Sequence, residues 1–395
     1  MKLKTISKLN LEGKKILLRL DLNAALQKGK PLDEPRFEAH AKTVRELSKK
    51  GAKIVILAHQ GRKRGKDFVP NLKNHARILE KYTKIKIEYI DDLFGSKATK
   101  KIDKLKNGEI VLLRNVRDYK DEADVKGKKN RYINFSKKFY IYINDAFSIS
   151  HRDQGSITIP PKIIPGYAGP VLYKEFLALK KFREMGKKKM LFILGGEKIE
   201  DYFSLLKKLN NKESRLLAGG VLGNIILYEG GIKFGYEENW LRKKGKLKSI
   251  SKVREIVKKN KNKIFLPKDF AIEKKGRKEI LISDLPVSKK IRDIGSKSIK
   301  EFKEKIKNCE VLLMKGPLGF SEIAGFEKGT LEVLKEISKQ TKKKKVYSLI
   351  GGGHLTTTIK KYKIKNDFSH VSLSGGALMK FICKEKLPGL EVLKK

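Results

Sequence analysis

The chain of 395 residues carries 93 Lys and Arg against 44 Asp and Glu, a formal net charge of +49, and 39% of its residues are hydrophobic. At ~100 to 200 residues per domain, this length and composition favour two globular domains and exclude a small stapled or disordered protein. Only two cysteines, Cys309 and Cys383, are present, which excludes a disulfide framework and indicates a reducing compartment.

The N-terminal apolar run is interrupted by Arg19 and Asp21, unlike the continuous apolar region of a signal peptide. No apolar stretch of the sequence approaches the ~20 residues that are needed to cross a bilayer. We therefore expect a cytoplasmic protein with no membrane partner.

The first half of the chain alternates apolar runs with amphipathic stretches, which predicts parallel strands covered by helices on both faces. In chain order these segments are KILLRLDL, RFEAHAKTVRELSKKG, AKIVILAH, NLKNHARILEKYTK, IEYI, EIVLLRNV and FYIYINDAF. A long helical pattern, VLYKEFLALKKFREMGK, follows at residues 171–187.

The alternation then begins again and continues towards the C-terminus. The second series contains MLFILGG, IEDYFSLLKKL, RLLAGGVLGNIILYEGG, IFLPKDFAI, EVLLMKGPLG, FEKGTLEVLKEISKQT, VYSLIGGG and HVSLSGGALMKFI. The pattern predicts an α/β fold with two doubly wound, Rossmann-like parallel-sheet domains, residues 1–170 and 188–375, joined by a hinge helix at 171–187.

Polar and cationic residues follow several predicted strands of the first half, where ligands of such sheets bind. They are Asp21, Asn23, Arg36, His59, Arg62, Arg117 and Arg152. Taken singly, each has a structural explanation as a turn, cap or hydrogen-bonding residue. Together, four arginines in one crevice would repel one another without an anion, and their planar forks suit a carboxylate and a phosphate.

Glycine clusters follow the predicted strands of the second half: LGGEK, KGPLG, LIGGGH and LSGG. Glycine permits close backbone approach, and the amides of a following helix can bind an anion, although turn glycines would give the same pattern. The chain has neither a GxxxxGK[ST] loop nor a GxGxxG fingerprint. Glu322 either accepts hydrogen bonds from ribose hydroxyls or lies on the surface.

A series of motifs along essentially the whole chain resembles the phosphoglycerate kinase family, its archaeal branch in particular. The motifs are LLRLDLNAAL, LDEPRFEAH, AKIVILAHQGR, NGEIVLLRNVRDY, YINDAFSISHR, FILGGEK, DIGSKSIKEF, GPLGFSE, FEKGT, LIGGGH and FSHVSLSGGA. The resemblance implies reversible phosphoryl transfer between 1,3-bisphosphoglycerate and ADP, giving 3-phosphoglycerate and ATP in glycolysis or gluconeogenesis. It also implies domain closure about the hinge and a C-terminal segment, residues 376–395, that returns to the N-terminal domain.

The same resemblance assigns residues to two sites. Those implied to bind 3-phosphoglycerate are Asp21, Asn23, Arg36, His59, Gln60, Gly61, Arg62, Arg117 and Arg152, with Arg36 also catalytic. Those implied to bind the nucleotide are Lys198, Glu322, Gly351, Gly352, Gly353, His354, Gly375 and Gly376. We expect Mg²⁺ to arrive with ATP or ADP, without a dedicated protein site, and we expect a monomer.

The nucleotide half departs from the family pattern at four positions. Tyr202 replaces the second lysine of GGAKxxDK, and Lys315 replaces the asparagine of NGP. His354 replaces the aspartate of GGGD, and Ser374 replaces a glycine near the end. Lys315 is a candidate source of the missing positive charge, with a surface lysine as the alternative.

The high positive charge leaves a second function open. A non-catalytic relic of the fold could bind RNA or another polyanion, and non-specific nucleic-acid binding would follow from the charge alone. The lysines are spread along the chain, without a basic tail or an aromatic stacking motif, which favours a solvated basic surface. The same field would steer a small anionic substrate.

Overall fold

The computed structural model describes residues 1–32, 35–365 and 367–395, so Asp33 and Glu34 of the LDEPRF motif lie outside the described residues. The described residues form two compact units, one comprising Met1–Leu177 with Glu385–Lys395 and the other Ala178–Lys384. The boundary falls inside the helix Pro170–Glu184.

The first unit is built on a six-stranded sheet whose paired strands are all parallel. The strands are β1 (Lys15–Arg19), β2 (Leu26–Gln27), β3 (Lys30–Pro31), β4 (Lys53–Leu57), β5 (Ile87–Ile90), β6 (Ile110–Leu113), β7 (Ile141–Asn144) and β8 (Gly166–Ala168). The helices are α1 (Pro35–Lys49), α2 (Lys73–Thr83), α3 (Ser96–Asp103), α4 (Arg131–Ser136), α5 (Gly155–Thr158), α6 (Pro160–Ile163) and α7 (Pro170–Glu184). The sheet order is β5-β6-β4-β1-β7-β8, and β2 and β3 form a small antiparallel hairpin.

The central strands are buried on both faces because successive side chains point to opposite sides of a strand. In β1, Ile16 and Leu18 join one core cluster, while Leu17 joins the cluster on the other face. Leu17 is paired in register with Val55 of β4. The continuous apolar runs of the sequence therefore correspond to strands covered by helices on both sides, as predicted.

The second unit contains a second six-stranded parallel sheet and a smaller antiparallel sheet of three strands. Its strands are β9 (Met190–Leu194), β10 (Ser214–Ala218), β11 (Ile264–Phe265), β12 (Asp269–Glu273), β13 (Arg277–Leu281), β14 (Ile291–Ile294), β15 (Val311–Lys315), β16 (Tyr347–Gly351) and β17 (His370–Ser372). Its helices are α8 (Phe203–Leu206), α9 (Gly220–Glu229), α10 (Tyr236–Lys243), α11 (Ile250–Asn260), α12 (Ser296–Lys307), α13 (Lys328–Lys342), α14 (Gly353–Lys361) and α15 (Gly376–Ile382). The sheet orders are β11-β10-β9-β15-β16-β17 and β13-β12-β14.

The predicted α/β fold with two parallel sheets is confirmed, and the three-stranded antiparallel sheet is an addition that the sequence did not predict. In each large sheet the direction of the strand order reverses between two neighbouring strands, β1 and β7 in one unit and β9 and β15 in the other. The carboxyl ends of these central strands form the crevice in which such sheets bind ligands. No helix in the described part of the chain is long and apolar enough to cross a membrane.

The last residues of the chain lie against its first residues. The short helix α16 (Pro388–Glu391) follows the second unit, and the Gly389 amide donates to the carbonyl of Ser150 at 2.9 Å. Leu3 and Lys394 form an antiparallel bridge. Residues Glu385–Lys395 are thereby part of the first unit's fold, whereas α15 (Gly376–Ile382), which lies in the segment 376–395 expected to return, belongs to the second unit.

A buried carboxylate, Asp145, fixes the start of α7. Its Oδ1 accepts from the backbone N–H of Val171 at 2.7 Å and of Leu172 at 3.2 Å. Its Oδ2 accepts from Thr43 Oγ1 at 2.8 Å and lies 3.2 Å from His40 Nδ1, both on α1. One side chain therefore ties α1 to the N-terminus of α7 and satisfies amides that have no partner within that helix.

We expect Asp145→Ala to lower the free energy of unfolding by about 3 kcal/mol, because it leaves two amides and two buried side chains without their acceptor. Urea unfolding followed by circular dichroism measures the change. Asp103→Ala is the control, since it removes only an exposed ion pair with Lys15 and should cost less than about 1 kcal/mol. Equal losses in the two variants would contradict the role of Asp145.

Candidate active site

The structure places the predicted polar residues of the first unit at the carboxyl ends of its central strands. Asp21 follows β1, and Arg36 reaches it from the first turn of α1, with Nη1 2.5 Å from Asp21 Oδ2. The Asn23 side chain accepts from the Gly61 amide at 2.7 Å. Arg117 Nη1 donates to the Gly61 carbonyl at 2.5 Å. Residues that are distant in sequence are thus joined by direct hydrogen bonds.

The buried side chain of Gln60 anchors the loop that follows β4. This side chain is fully buried, accepts from the Ala24 amide at 3.0 Å and donates to the Ala24 carbonyl at 2.9 Å. Gly61 has a φ of +68°, and a Cβ there would lie 2.1 Å from the Asp67 carbonyl oxygen. Gln60 and Gly61 therefore shape the loop that presents His59 and Arg62, and the Gln60 amide is used within the protein.

The Asp21 carboxylate is the negative centre of this cluster. Burial alone would raise the pKa of Asp21, but the guanidinium of Arg36 and a hydrogen bond from the Ser148 hydroxyl hold that pKa well below its usual range. The backbone N–H of Asn23 donates to Asp21 Oδ1 at 3.1 Å. Asp21 is therefore ionised at neutral pH and fixes the Arg36 side chain.

Arg19 is a member of the cluster that the sequence analysis did not identify. It is the last residue of β1 and has no exposed surface. Its Nε donates to Ser156 Oγ at 2.9 Å, and Ser156 Oγ donates to Glu122 Oε1 at 2.9 Å. The signal in the sequence was an arginine at the end of an otherwise apolar strand, but the sequence pattern did not indicate which residues it contacts.

Arg19 also determines the state of His59. Burial, together with the charges of Arg117 and Arg19, lowers the pKa of His59 well below its usual value, so the imidazole is neutral. Arg19 Nη2 lies 3.3 Å from His59 Nδ1. Because a guanidinium can only donate, Nδ1 must accept and the proton of the ring lies on Nε2. His59 can then donate one neutral hydrogen bond to a ligand.

Positive charge exceeds negative charge in this cluster. Arg117 Nη2 and Arg152 Nε are buried and have no hydrogen-bond partner among the described residues. Burial, followed by the charges of Arg152 and Arg19, lowers the pKa of Arg117 to about 10. Burial and the charge of Arg62 likewise lower the pKa of Arg152. Guanidinium groups that repel one another and retain free donors form a site for an anion.

The second unit contains a cavity of about 600 Å³ at the carboxyl ends of its parallel strands. Its wall includes the predicted residues Lys198, Glu322, Gly352, Gly353, His354, Gly375 and Gly376. Gly352 has a φ of +110°, and no atom lies within 4 Å of the Cβ position at Gly352, Gly353 or Gly375. The backbone at the start of α14 is therefore open to a ligand.

Gly351 differs from its neighbours. It ends β16, and a Cβ there would lie 2.9 Å from Leu378 Cδ1. Gly351 is not among the described residues that line the cavity. The glycine is needed for packing against α15, and the open backbone begins one residue later.

Two of the four replaced positions, Lys315 and Tyr202, are in contact in the cavity. Tyr202 donates to the Gly195 carbonyl at 2.5 Å, and the Lys315 ammonium lies 5.2 Å from the centre of its ring. Lys315 is 6% exposed, and its Nζ lies 3.0 Å from Asp201 Oδ2. Burial lowers the pKa of Lys315 despite that carboxylate. The interpretation of Lys315 as a surface lysine is therefore wrong.

The fold and the two sites define an α/β phosphotransferase, with an arginine-rich anion site in one unit and a glycine-lined cavity in the other. The family model for phosphoglycerate kinase matches residues 6–385. The chain is 35% identical to a phosphoglycerate kinase of Methanosarcina mazei, over 99% of this chain and 94% of the relative. It is also 35% identical to one of Sulfolobus acidocaldarius, over 98% of this chain and 95% of the relative. The chain belongs to the phosphoglycerate kinase family.

Solved structures agree with this assignment. The crystal structure of phosphoglycerate kinase from Pyrococcus horikoshii superposes with a TM-score of 0.92 at 31% identity, covering 99% of this chain and 98% of that chain. That of the Coxiella burnetii phosphoglycerate kinase gives a TM-score of 0.78 at 25% identity, covering 99% of both chains. The resemblance to the archaeal branch is confirmed, and the comparisons support a kinase and not the non-catalytic alternative.

We expect Lys315→Ala to lower kcat or raise the KM for ATP by at least about tenfold, because it removes a buried ammonium from the cavity wall. The KM for 3-phosphoglycerate should stay nearly unchanged, since the residues predicted to bind it lie in the other unit. Steady-state kinetics with each substrate varied in turn measures both constants. Lys339→Ala, an exposed lysine of α13, is the matched control and should leave them unaltered. Unaltered nucleotide kinetics in Lys315→Ala would exclude a role for this side chain.

Proposed function

We propose that the protein moves a phosphoryl group reversibly between 1,3-bisphosphoglycerate and ADP, giving 3-phosphoglycerate and ATP. The observation that carries this proposal is the arginine cluster of the first unit, in which buried guanidinium donors of Arg117 and Arg152 have no partner among the described residues. A small ligand with a carboxylate and a phosphate satisfies such donors in pairs. A polyanion does not require donors that are buried.

In this proposal the first unit, Met1–Leu177 with Glu385–Lys395, binds the triose acid. Arg62, Arg117 and Arg152 bind its charged groups, and His59 donates a neutral hydrogen bond. Asp21 and Asn23 hold the surrounding loops and Arg36. Arg36 stabilises the charge that develops on the transferring phosphoryl group, because such transfer depends on positioning and charge neutralisation rather than on a covalent intermediate.

The second unit, Ala178–Lys384, binds the nucleotide in this proposal. The open amides at the start of α14, with Gly375 and Gly376, suit the phosphates. Lys198 and Lys315 supply positive charge, and Glu322 accepts from the ribose hydroxyls. His354 lies in the first turn of α14 and can donate to a phosphate oxygen. The apolar part of the wall, which includes Phe270, takes the base.

Magnesium enters the proposal with the nucleotide. Within the described ranges, no group of three or more His, Cys, Asp or Glu side chains could hold a metal ion by itself. Glu197 and Asp201 are two of the carboxylates that line the cavity and could contact a nucleotide-bound Mg²⁺. When bound, the ion neutralises phosphate charge. A monomer suffices for the reaction because one chain carries both sites, and a glycolytic step is consistent with a cytoplasmic location.

A coupled assay with 3-phosphoglycerate and MgATP tests the activity directly. Turnover above a no-enzyme control is the expected result, with consumption of ATP equal to formation of 1,3-bisphosphoglycerate. Purified, folded protein that gives no turnover with either direction of the reaction would exclude the proposed function.

Arg36→Ala should lower kcat by at least about a hundredfold and raise the KM for 3-phosphoglycerate by much less, because a contact made mainly in the transition state affects turnover. The same coupled assay measures both constants. Arg45→Ala on the same helix is the control, since Arg45 is exposed and donates only to the Tyr82 carbonyl. A near-normal kcat in Arg36→Ala would remove Arg36 from the catalytic step.

A further inference from the structure

A buried histidine of the first unit, His75, has no part in the function proposed so far. It lies in the first turn of α2 and is 1% exposed. Its Nε2 lies 3.0 Å from Gln60 Oε1, whereas its Nδ1 is buried without a hydrogen-bond partner among the described residues. Its ring centre lies 6.1 Å from that of Phe37 on α1. His75 therefore contacts both the loop after β4 and the first turn of α1, the turn that carries Arg36.

The hydrogen bonds of Gln60 determine which way round its amide group lies. Gln60 Nε2 donates to the backbone carbonyls of Ala24 and Asp67, at 2.9 and 3.1 Å, and a carbonyl can only accept. Gln60 Oε1 accepts from the backbone N–H of Ala24 at 3.0 Å. His75 faces that same oxygen, so its Nε2 must carry the ring proton and donate it. With this bond, both N–H groups of the Gln60 amide are used and its oxygen accepts twice.

The charge state of His75 suits this place in the fold. Burial lowers the pKa of His75 to about 4, so the ring is neutral at neutral pH. A neutral imidazole donates from one nitrogen only. The ring can therefore hold Gln60 without adding to the positive charge of the arginine cluster.

The backbone of the same loop holds an arginine that has a free donor. Asn115 Nδ2 donates to the Gln60 carbonyl at 2.8 Å, and Asn115 Oδ1 accepts from the backbone N–H of Arg117 at 3.0 Å. The Gly61 carbonyl accepts from Arg117 Nη1, and the Gly61 N–H donates to Asn23 Oδ1. Arg117 Nη2 has no partner in the part of the chain that the structure describes. Its position therefore depends on where residues 60 and 61 lie.

We propose that His75 is a positioning residue of the anion site, which acts by fixing the Gln60 amide and thereby the direction of the Arg117 side chain. This inference rests on the proposed function, because it takes the anion of that site to be 3-phosphoglycerate. His75 itself does not touch the ligand. Its effect lies in the affinity for the triose acid, since the residues proposed to bind the nucleotide belong to the other unit.

A purely structural role of His75 predicts a different result. If the ring only fills space between α1 and α2, its replacement lowers the amount of folded protein and hence the apparent kcat, while both KM values stay the same. Loss of a positioning hydrogen bond instead raises the KM for 3-phosphoglycerate alone. The two KM values separate these cases, because the concentration of active enzyme does not enter a KM.

The test compares two amide side chains of different reach at position 75. The amide nitrogen of glutamine can take the place of histidine Nε2 and donate to Gln60, whereas the shorter asparagine does not reach it. We expect His75→Asn to raise the KM for 3-phosphoglycerate by at least about threefold, as one lost hydrogen bond would, and the KM for ATP by less than about 1.5-fold. His75→Gln should keep both constants within about twofold of the wild-type values.

Both variants bury one amide group, so only the reach of the donor differs between them. An equal rise of the KM for 3-phosphoglycerate in the two variants, or parallel changes in both KM values, would overturn the inference. Lys73→Ala is the control on the same helix, since Lys73 is exposed, and it should leave both constants unaltered.

A double variant tests whether His75 acts through Gln60. Gln60→Leu should raise the KM for 3-phosphoglycerate by itself. Adding His75→Asn to it should raise that constant by less than about a further 1.5-fold, because the acceptor is already absent. Effects of the two substitutions that multiply would contradict action through Gln60.

The ring proton of His75 provides a measurement that needs neither a variant nor turnover. In wild-type protein with its six histidines isotope-labelled, the nitrogen chemical shifts of each ring distinguish the two tautomers. We expect a neutral His75 ring with its proton on Nε2. A proton on Nδ1 instead would exclude donation to Gln60 and overturn the inference even if the variants failed to fold. Turnover by the wild-type protein tests the proposed function separately, and the ring proton can be located whether or not there is turnover.

Discussion

Mutual repulsion among guanidinium groups at the carboxyl ends of the first parallel sheet is the constraint on which the candidate anion site depends. The protein places these groups mainly with neutral partners: Arg117 donates to the Gly61 carbonyl, and Arg19 donates to Ser156. A neutral acceptor fixes the position of an arginine without cancelling its charge, whereas a carboxylate would do both. The Asp21 carboxylate pairs with Arg36, and the Glu122 carboxylate accepts a hydrogen bond from the Ser156 hydroxyl. The positive charge that remains is available to a ligand, and burial keeps it from being screened by water.

In the second unit, the groups that could bind an anion are backbone amides rather than arginine side chains. Its phosphate-binding candidates are amides around Gly352 and Gly375, where no neighbouring atom obstructs approach. The lysine that the family pattern places at position 202 is absent, and the Tyr202 hydroxyl instead fastens two loops by donating to the carbonyl of Gly195 and, at 3.2 Å, to that of Lys315. The Lys315 ammonium occupies the space above the same ring. Tyr202 and Lys315 therefore act together, because the aromatic ring stabilises the ammonium of the lysine at the end of β15.

How far the sequence predicted the site depends on whether a residue's role is local. Asp21, His59 and Arg117 stand directly after buried apolar runs, so strand ends alone indicated a shared edge. Arg19 was missed because its partners, Ser156 and Glu122, are more than a hundred residues away and carry no pattern. The assignments of individual residues to substrate or nucleotide stay predictions.

The part of the cavity wall formed by Glu237, Trp240 and Lys290 was missed for a different reason. Glu237, Trp240 and Lys290 come from α10 and from the segment before β14, and only the antiparallel sheet β12–β14 brings them near one another. That sheet was not predicted because Ile264–Phe265 and Asp269–Glu273 read as one apolar run, although they belong to different sheets. Burial was equally invisible for Lys315: a lysine at the end of a strand has the same local sequence whether it faces water or a cavity.

The distribution of basic residues separates general charge from specific recognition. Only sixteen of the 93 basic residues are arginine, and five of these, Arg19, Arg36, Arg62, Arg117 and Arg152, belong to one cluster. Lysine is a compact, strongly hydrated charge, which suits a solvated surface, whereas the arginine fork holds carboxylate and phosphate oxygens in pairs and tolerates partial burial. A chain that used its +49 charge mainly to hold a polyanion would have no reason to concentrate its scarce arginines in one cluster with buried donors. The lysines of the surface supply a long-range field that attracts small anions. The arginine cluster supplies the paired donors that suit a carboxylate or a phosphate.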